Sequence, residues 1–160
     1  MTGLLEPLPA DLHDEVLSLN RTHQHLTAPM DADYLGYLTQ VGTVEVFRAG
    51  AAFAGLVVTV RGDSTYSGEN FRWFAERYDS FDYLDRIIVH DDFRRQGLAG
   101  QVYDEVEARS AARVPMLTLE VNIEPPNEAS LAFHAARGFE QVGERDVDEH
   151  RVALLVKRLG

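Results

Sequence analysis

Leu12, Val16 and Leu19 recur at helical spacing after Asp11 and predict a first helix, preceded by a short edge strand from Gly3 to Leu8 that Pro7 and Pro9 close. Tyr34, Tyr37, Leu38 and Val41 predict a second amphipathic helix. Between the two, His23, Gln24 and His25 read as a loop or a fraying helix end. From Thr43 to Arg61 the β-branched and apolar residues Val44, Val46, Phe47, Leu56, Val57, Val58 and Val60 flank Ala49-Gly50, the pattern of an antiparallel hairpin. Arg61 to Ser80, with Gly62, Asp63, Ser64, Ser67, Gly68 and Asn70, reads as a long loop.

Phe81 to His90 predicts a buried central strand in which Asp85 shares the side-chain parity of Tyr83, Ile87 and Val89. Gly97 to Ala112 predicts a helix with Leu98, Val102 and Val106 on one face and a Glu105 to Arg109 pair on another. Met116 to Val121 is a further strand that Pro125-Pro126 stops. Asn127 then caps a helix to Arg137, ended by Gly138, and Val142 to Leu159 supplies two closing strands around the polar run Asp146 to Arg151. Strands and helices in this order predict an α/β chain.

Composition narrows the classes. A chain of 160 residues with 45% hydrophobic content suits a single domain over 1–160 with a real core. The formal charge of -11 repels phosphate backbones and anionic lipid, so neither nucleic acid nor membrane is an expected partner. The first ten residues, with Glu6 and Pro7, hold no apolar run of signal-peptide type, and a cytoplasmic location is expected. The absence of cysteine removes an acyl-cysteine nucleophile, so any group transfer must use another nucleophile or pass directly between substrates, with a ternary complex the default expectation. His23 and His25, two apart with no third ligand beside them, do not make a zinc site, and no metal is expected.

The chemistry concentrates in "HDDFRRQGLAG", His90 to Gly100, where the central strand hands over to a helix. Unpaired amides and the positive end of the helix dipole hold an anion such as a diphosphate, Gly97 lets it approach the backbone, and Arg94 and Arg95 add charge-assisted contacts. A phosphate loop of the G-x-x-x-x-G-K-[ST] type fails for want of the lysine and hydroxyl. The G-x-G-x-x-G dinucleotide pattern fails because alanine stands two places after Gly97.

What remains, Arg94-x-x-Gly97-x-Ala99, resembles the Q/R-x-x-G-x-G/A turn of the GNAT superfamily of N-acetyltransferases. The stretch "NEASLAFHAARGF", Asn127 to Phe139, is similar to the family's second signature, with His134 where tyrosine is usual; Asp91 stands where proline is common. The resemblance implies a mixed, mostly antiparallel sheet of about six or seven strands flanked by about four helices, with splayed central strands holding acetyl-coenzyme A. It implies that this cosubstrate docks on Arg94, Arg95, Gln96, Gly97, Leu98, Ala99, Gly100 and Asn127, and that a backbone N–H near Ile88 or Val89 polarises the thioester carbonyl.

The implied activity is acetyl transfer to a primary amine of a small molecule or peptide, entering between the His23 to Tyr37 region and the Gly62 to Tyr78 loop; a homodimer is also consistent with the resemblance. The alternative from another class is a non-catalytic acyl-coenzyme A binding module. Asp85 and Glu120 are the candidate bases, Asp85 equally accounted for by a salt bridge to Arg86 or another arginine. His134 inherits the position of a thiolate-protonating tyrosine, or is a buried polar residue bonded to the backbone. The seven aromatics from Tyr66 to Tyr83 line an acceptor pocket or pack a core.

Overall fold

The structure, a computed structural model, describes residues 3–24 and 27–160, so His25 lies outside the described residues. Among the described residues seven strands form one sheet: β1 (Glu6–Pro7), β2 (Thr43–Ala49), β3 (Ala52–Arg61), β4 (Asp82–Val89), β5 (Met116–Glu124), β6 (Glu140–Val147) and β7 (His150–Arg158), in the order β1-β2-β3-β4-β5-β7-β6. Every pairing is antiparallel except β4 with β5. The α/β expectation and the strand number hold.

Among the described residues five α-helices cover the sheet: α1 (His13–Thr22), α2 (Ala32–Val41), α3 (Glu69–Ala75), α4 (Leu98–Ala111) and α5 (Glu128–Ala136). One face is closed by α1, α2 and α3, whose Val16, Leu19, Leu35, Leu38, Phe71 and Phe74 form a core with Val46, Leu56 and Tyr83. The other is closed by α4 and α5, where Leu98, Val102, Tyr103 and Val106 pack on Phe47, Val57, Leu117 and Leu119. Each such apolar side chain contributes roughly 1.5–3 kcal/mol on burial.

Four expectations are corrected. The stretch from Arg61 to Ser80 is not all loop, because Phe71 and Phe74, three apart, bury against Phe81 and Tyr83 and wind α3 around them. The predicted Glu105–Arg109 pair does not form: Glu105 accepts the amide of Leu4 at 2.6 Å, and Arg109 takes Glu45 with two bonds of 2.9 and 2.7 Å. Partners from other elements hold both charges in place. The strand from Met116 runs on to Glu124, and the closing pair begins at Glu140.

The fourth correction concerns the central strand. Val58 faces Arg86 and Thr59 faces Leu84, so Asp85 is the extra residue of a β-bulge. Side-chain parity flips there: Tyr83 and Ile88 join the core under α1 to α3, whereas Leu84, Ile87 and Val89 join the core under α4 and α5. Asp85 therefore does not share the parity of Ile87 and Val89.

Candidate active site

The sheet opens between β4 and β5. Their only paired positions are Asp82 with Leu117 and Tyr83 with Thr118, although β4 has eight residues and β5 nine. Beyond that point Leu84–Val89 and Leu119–Glu124 part, which leaves backbone groups on facing edges without strand partners.

Alternation along β4 decides which amides face the gap. His90 donates its N–H to the carbonyl of Ala54 at 2.7 Å, so His90, Ile88 and Arg86 direct their N–H groups at β3. A Cβ built at Gly55 would lie 2.2 Å from the Ile88 carbonyl oxygen, which agrees with that direction. Ile87 and Val89 therefore turn their N–H groups into the opening. Of the two amides named from the sequence, Val89 faces the gap and Ile88 does not; Ile87, which does, was missed because strand polarity is not legible in side-chain pattern.

At the end of β4 the chain makes a single 3-10 turn, Asp91–Phe93, then a tight bend in which Arg95 has φ 64° and Gly97 φ 76° before α4 starts at Leu98. Only glycine adopts such a backbone without strain, and no atom lies within 4 Å of a Cβ built at Gly97, so the space above the turn is open. Gln101 bonds the Gly97 carbonyl at 3.1 Å, which leaves the amides of Leu98, Ala99 and Gly100 at the helix mouth without intrahelical partners. Arg94, Arg95 and Gln96 are exposed around it. Arg94 Nε lies 3.1 Å from Asp91 Oδ1. Asn127 caps α5, accepting the Ser130 amide at 3.3 Å through its side-chain oxygen.

Both candidate carboxylates lie on the α1–α3 side of the gap. Tyr83 donates its hydroxyl hydrogen to Glu120 Oε1 at 2.5 Å. Burial pushes the Glu120 carboxyl up to about 7, with the charge of Asp85 in the same direction and hydrogen bonds from Tyr83 and Asn70 opposing. Such a group changes protonation at neutral pH, as a general base must. Asp85 is engaged differently: Arg86 Nε donates to its Oδ2 at 2.7 Å and Tyr66 donates its hydroxyl hydrogen to Oδ1, also at 2.7 Å. The salt bridge to Arg86 weighed from the sequence is present, and Arg86 in turn donates to Asn20 Oδ1 and the Ala28 carbonyl.

His134 sits on the other face, packed against Tyr103, Phe133 and Phe139 and only 5% exposed. Its Nδ1 lies 2.7 Å from the Ser130 carbonyl, an acceptor, so Nδ1 carries the hydrogen; Nε2, 2.6 Å from the Tyr103 hydroxyl, is then its acceptor. Burial lowers its proton affinity, against the hydrogen bond to Ser130, which raises it. The structure brings Glu120, Tyr83 and Asp85 together and leaves His134 apart with both ring nitrogens engaged.

The aromatics from Tyr66 to Tyr83 are mostly core: Tyr66, Phe71, Phe74, Phe81 and Tyr83 are buried. Tyr34 Oη and Tyr66 Oη lie 3.0 Å apart, as do Tyr37 Oη and Ser67 Oγ. At that point the two segments expected to flank an acceptor form a joined wall and not the two sides of an entrance. A recess of about 810 Å³ that includes Gly42, Arg61, Asp82 and Arg113 lies at the opposite end of β4 from the turn and is no part of this arrangement. Among the described residues no cluster of three or more His, Asp or Glu is arranged to hold a metal, and no helix is long and apolar enough to cross a membrane.

Residues 23–139 match the Acetyltransferase (GNAT) family. The fold is similar to that of the ribosomal-protein-S18-alanine N-acetyltransferase from Escherichia coli, at 16% identity, with a TM-score of 0.70 and coverage of 97% of this chain and 92% of that one. It is also similar to Arabidopsis thaliana NAA60 in complex with a bisubstrate analogue, at 14% identity, with a TM-score of 0.73 and 97% coverage of each chain. A GNAT family acetyltransferase from Elizabethkingia anophelis with acetyl-CoA bound has a TM-score of 0.66 at 12% identity, with 97% of each chain covered. No curated protein matches the chain. With the family match spanning most of its length and its sheet parted beside a glycine turn, the chain belongs to the GNAT family of acetyltransferases and is an acyltransferase.

Proposed function

We propose that the protein transfers an acetyl group from acetyl-coenzyme A directly to a primary amine within a ternary complex. The observation that carries this reading is the parting of β4 from β5 after Tyr83 and Thr118, which leaves a slot between two strands beside a turn of unpaired amides. The residues fit the cosubstrate: Leu98, Ala99 and Gly100 offer N–H groups and Arg94 and Arg95 offer charge to a diphosphate, Gly97 leaves room for it, and the side-chain amide of Asn127 is a further donor. When bound, acetyl-coenzyme A supplies the acetyl thioester.

The chain's own groups divide the remaining work. The Val89 N–H donates to the acyl carbonyl oxygen as negative charge develops there. Glu120, balanced near neutrality, accepts a proton from the incoming ammonium group, and Tyr83 orients the carboxylate. Asp85, committed to Arg86 and Tyr66, holds the wall beside Glu120 and raises its proton affinity. His134 packs α5 against α4, and the coenzyme A thiolate, with a thiol pKa of roughly 8.5 by analogy with cysteine, leaves without a donated proton. An acidic protein with two carboxylates at this wall favours a cationic acceptor, either a small polyamine-like molecule or a basic peptide terminus.

The test is thiol release from acetyl-coenzyme A over a panel of small amines and peptides with free N-termini. Amine-dependent release with intersecting double-reciprocal lines is expected. Parallel lines would contradict the ternary complex, and tight binding of the cosubstrate with no release on any amine would contradict the transfer.

A further inference from the structure

Glu120 on β5 stands in one cross-strand row with Leu154 on β7 and Gly143 on β6. Residues directly opposite share a face of the sheet, and Arg145, two positions beyond Gly143, shares it too. Helix α3 lies over the outer end of this row. A Cβ built at Gly143 would come within 2.5 Å of the Trp73 ring, so any side chain there would lift the helix away. Held at this height, the first turn of α3 meets both the arginine and the carboxylate. Arg145 Nη1 donates to Asn70 Oδ1 and its Nη2 donates to Glu69 Oε2 at 3.1 Å. The Asn70 side chain is in turn hydrogen-bonded to Glu120.

A guanidinium only donates and a carboxylate only accepts, so the Asn70 amide has one satisfied orientation, oxygen toward Arg145 and NH2 toward Glu120. Turned over, it would offer its oxygen, which bonds a carboxyl group only in the protonated form. We infer that Asn70 and Arg145 are positioning residues for the base: Asn70 presents its NH2 to the Glu120 carboxylate, and Arg145, by holding the amide oxygen, keeps the amide from turning over. The inference rests on the reading of Glu120 as the base. It gives the edge strand β6 a part in setting a group two strands away. The other titratable and charged groups around Glu120 are Tyr83, Asp85 and Arg86 on β4, with Tyr103 on α4 coupled to its charge from the opposite side of the sheet. The residue facing it on β7, Leu154, is apolar.

The test is titration of the Glu120 carboxyl carbon by NMR of the full chain without ligand, the signal being assigned by its loss in Glu120→Gln, beside the pH profile of kcat/KM on an amine that is turned over. Wild type, Asn70→Ala, Arg145→Met and the double variant are compared. Asn70→Ala is expected to move the Glu120 midpoint up by about one pH unit, since a donor to the charged form is lost, and the rise in kcat/KM moves with it. Arg145→Met is expected to move both in the same direction by less, and to add nothing in the Asn70→Ala background. Arg145→Lys, which keeps a donor for the amide oxygen, is expected to return the midpoint toward that of wild type, which a general loosening of β6 would not. Midpoints unmoved in both single variants, or an Arg145→Met shift of equal size with and without Asn70, overturn the inference while leaving the base in place. A carboxyl titration that moves while the rate profile stays, or no turnover of any amine, overturns the base and the inference together.

Discussion

Tyr83 on β4 donates a 2.5 Å hydrogen bond to Glu120 on β5 at the level where those two strands have just ceased to pair. The bond bridges the widening gap, so the proposed base is aimed by the strand opposite its own. Tyr83 cannot ionise in exchange, because burial and the charge of Glu120 push its hydroxyl well up from the usual range.

The pH dependence of transfer follows from that pair. The wild-type kcat/KM is expected to rise with pH through about 7 as Glu120 loses its proton. Glu120→Gln is expected to lower kcat about 10²- to 10⁴-fold and abolish the rise. Tyr83→Phe removes a bond that favours the carboxylate form, so the rise moves to higher pH. A profile unchanged in both variants would assign the base elsewhere.

Stability reads the same group independently of catalysis. A carboxyl whose proton affinity is higher folded than unfolded stabilises the fold below its unfolded value and loses that contribution as pH climbs through the folded one, here between about 4.5 and 7. Glu120→Gln is therefore expected to raise the urea midpoint at pH 8 by an amount worth about 1–3 kcal/mol relative to wild type, and to change it little at pH 4.5. Equal shifts at both pH values would contradict a buried, raised Glu120.

His134 separates packing from chemistry. His134→Ala leaves the buried Tyr103 hydroxyl without its acceptor and is expected to cost about 1–3 kcal/mol in stability, with kcat on acetyl-coenzyme A reduced less than about ten-fold. A loss of 10³-fold in kcat with unchanged stability would make His134 the proton donor that its place in the signature suggests.

Gly97 separates folding from donor binding. Gly97→Ala is expected to cost about 1–2 kcal/mol for the left-handed backbone, and to weaken coenzyme A binding more than ten-fold because its methyl group enters the open space above the turn. A stability loss with unchanged affinity would move the diphosphate away from this turn.

Local signals made some of this legible from sequence and left the rest hidden. The turn from His90 to Gly100 could be read because glycine backbone and arginine spacing act over a few residues, and the cap at Asn127 for the same reason. The bulge at Asp85 could not, since one residue inserted into a strand leaves no mark until its partner strand is known. Helix α3 spans seven residues, too few for periodicity to outweigh the glycine and serine around it. Glu105 and Arg109 stood four apart as a ready pair, yet the amide of Leu4 and the carboxylate of Glu45 took them from elements distant in sequence. Tyr83 read as one of seven aromatics that line a pocket or pack a core, and its ring is in the core; only the neighbouring strand shows that its hydroxyl meets Glu120.

The donor slot is tested most directly by a crystal structure of the protein with coenzyme A. The expected result is the diphosphate on the amides of Leu98, Ala99 and Gly100, with the pantetheine arm between β4 and β5 and its sulfur end near Val89 and Glu120. A diphosphate bound elsewhere, with the strands' gap empty, would contradict the account.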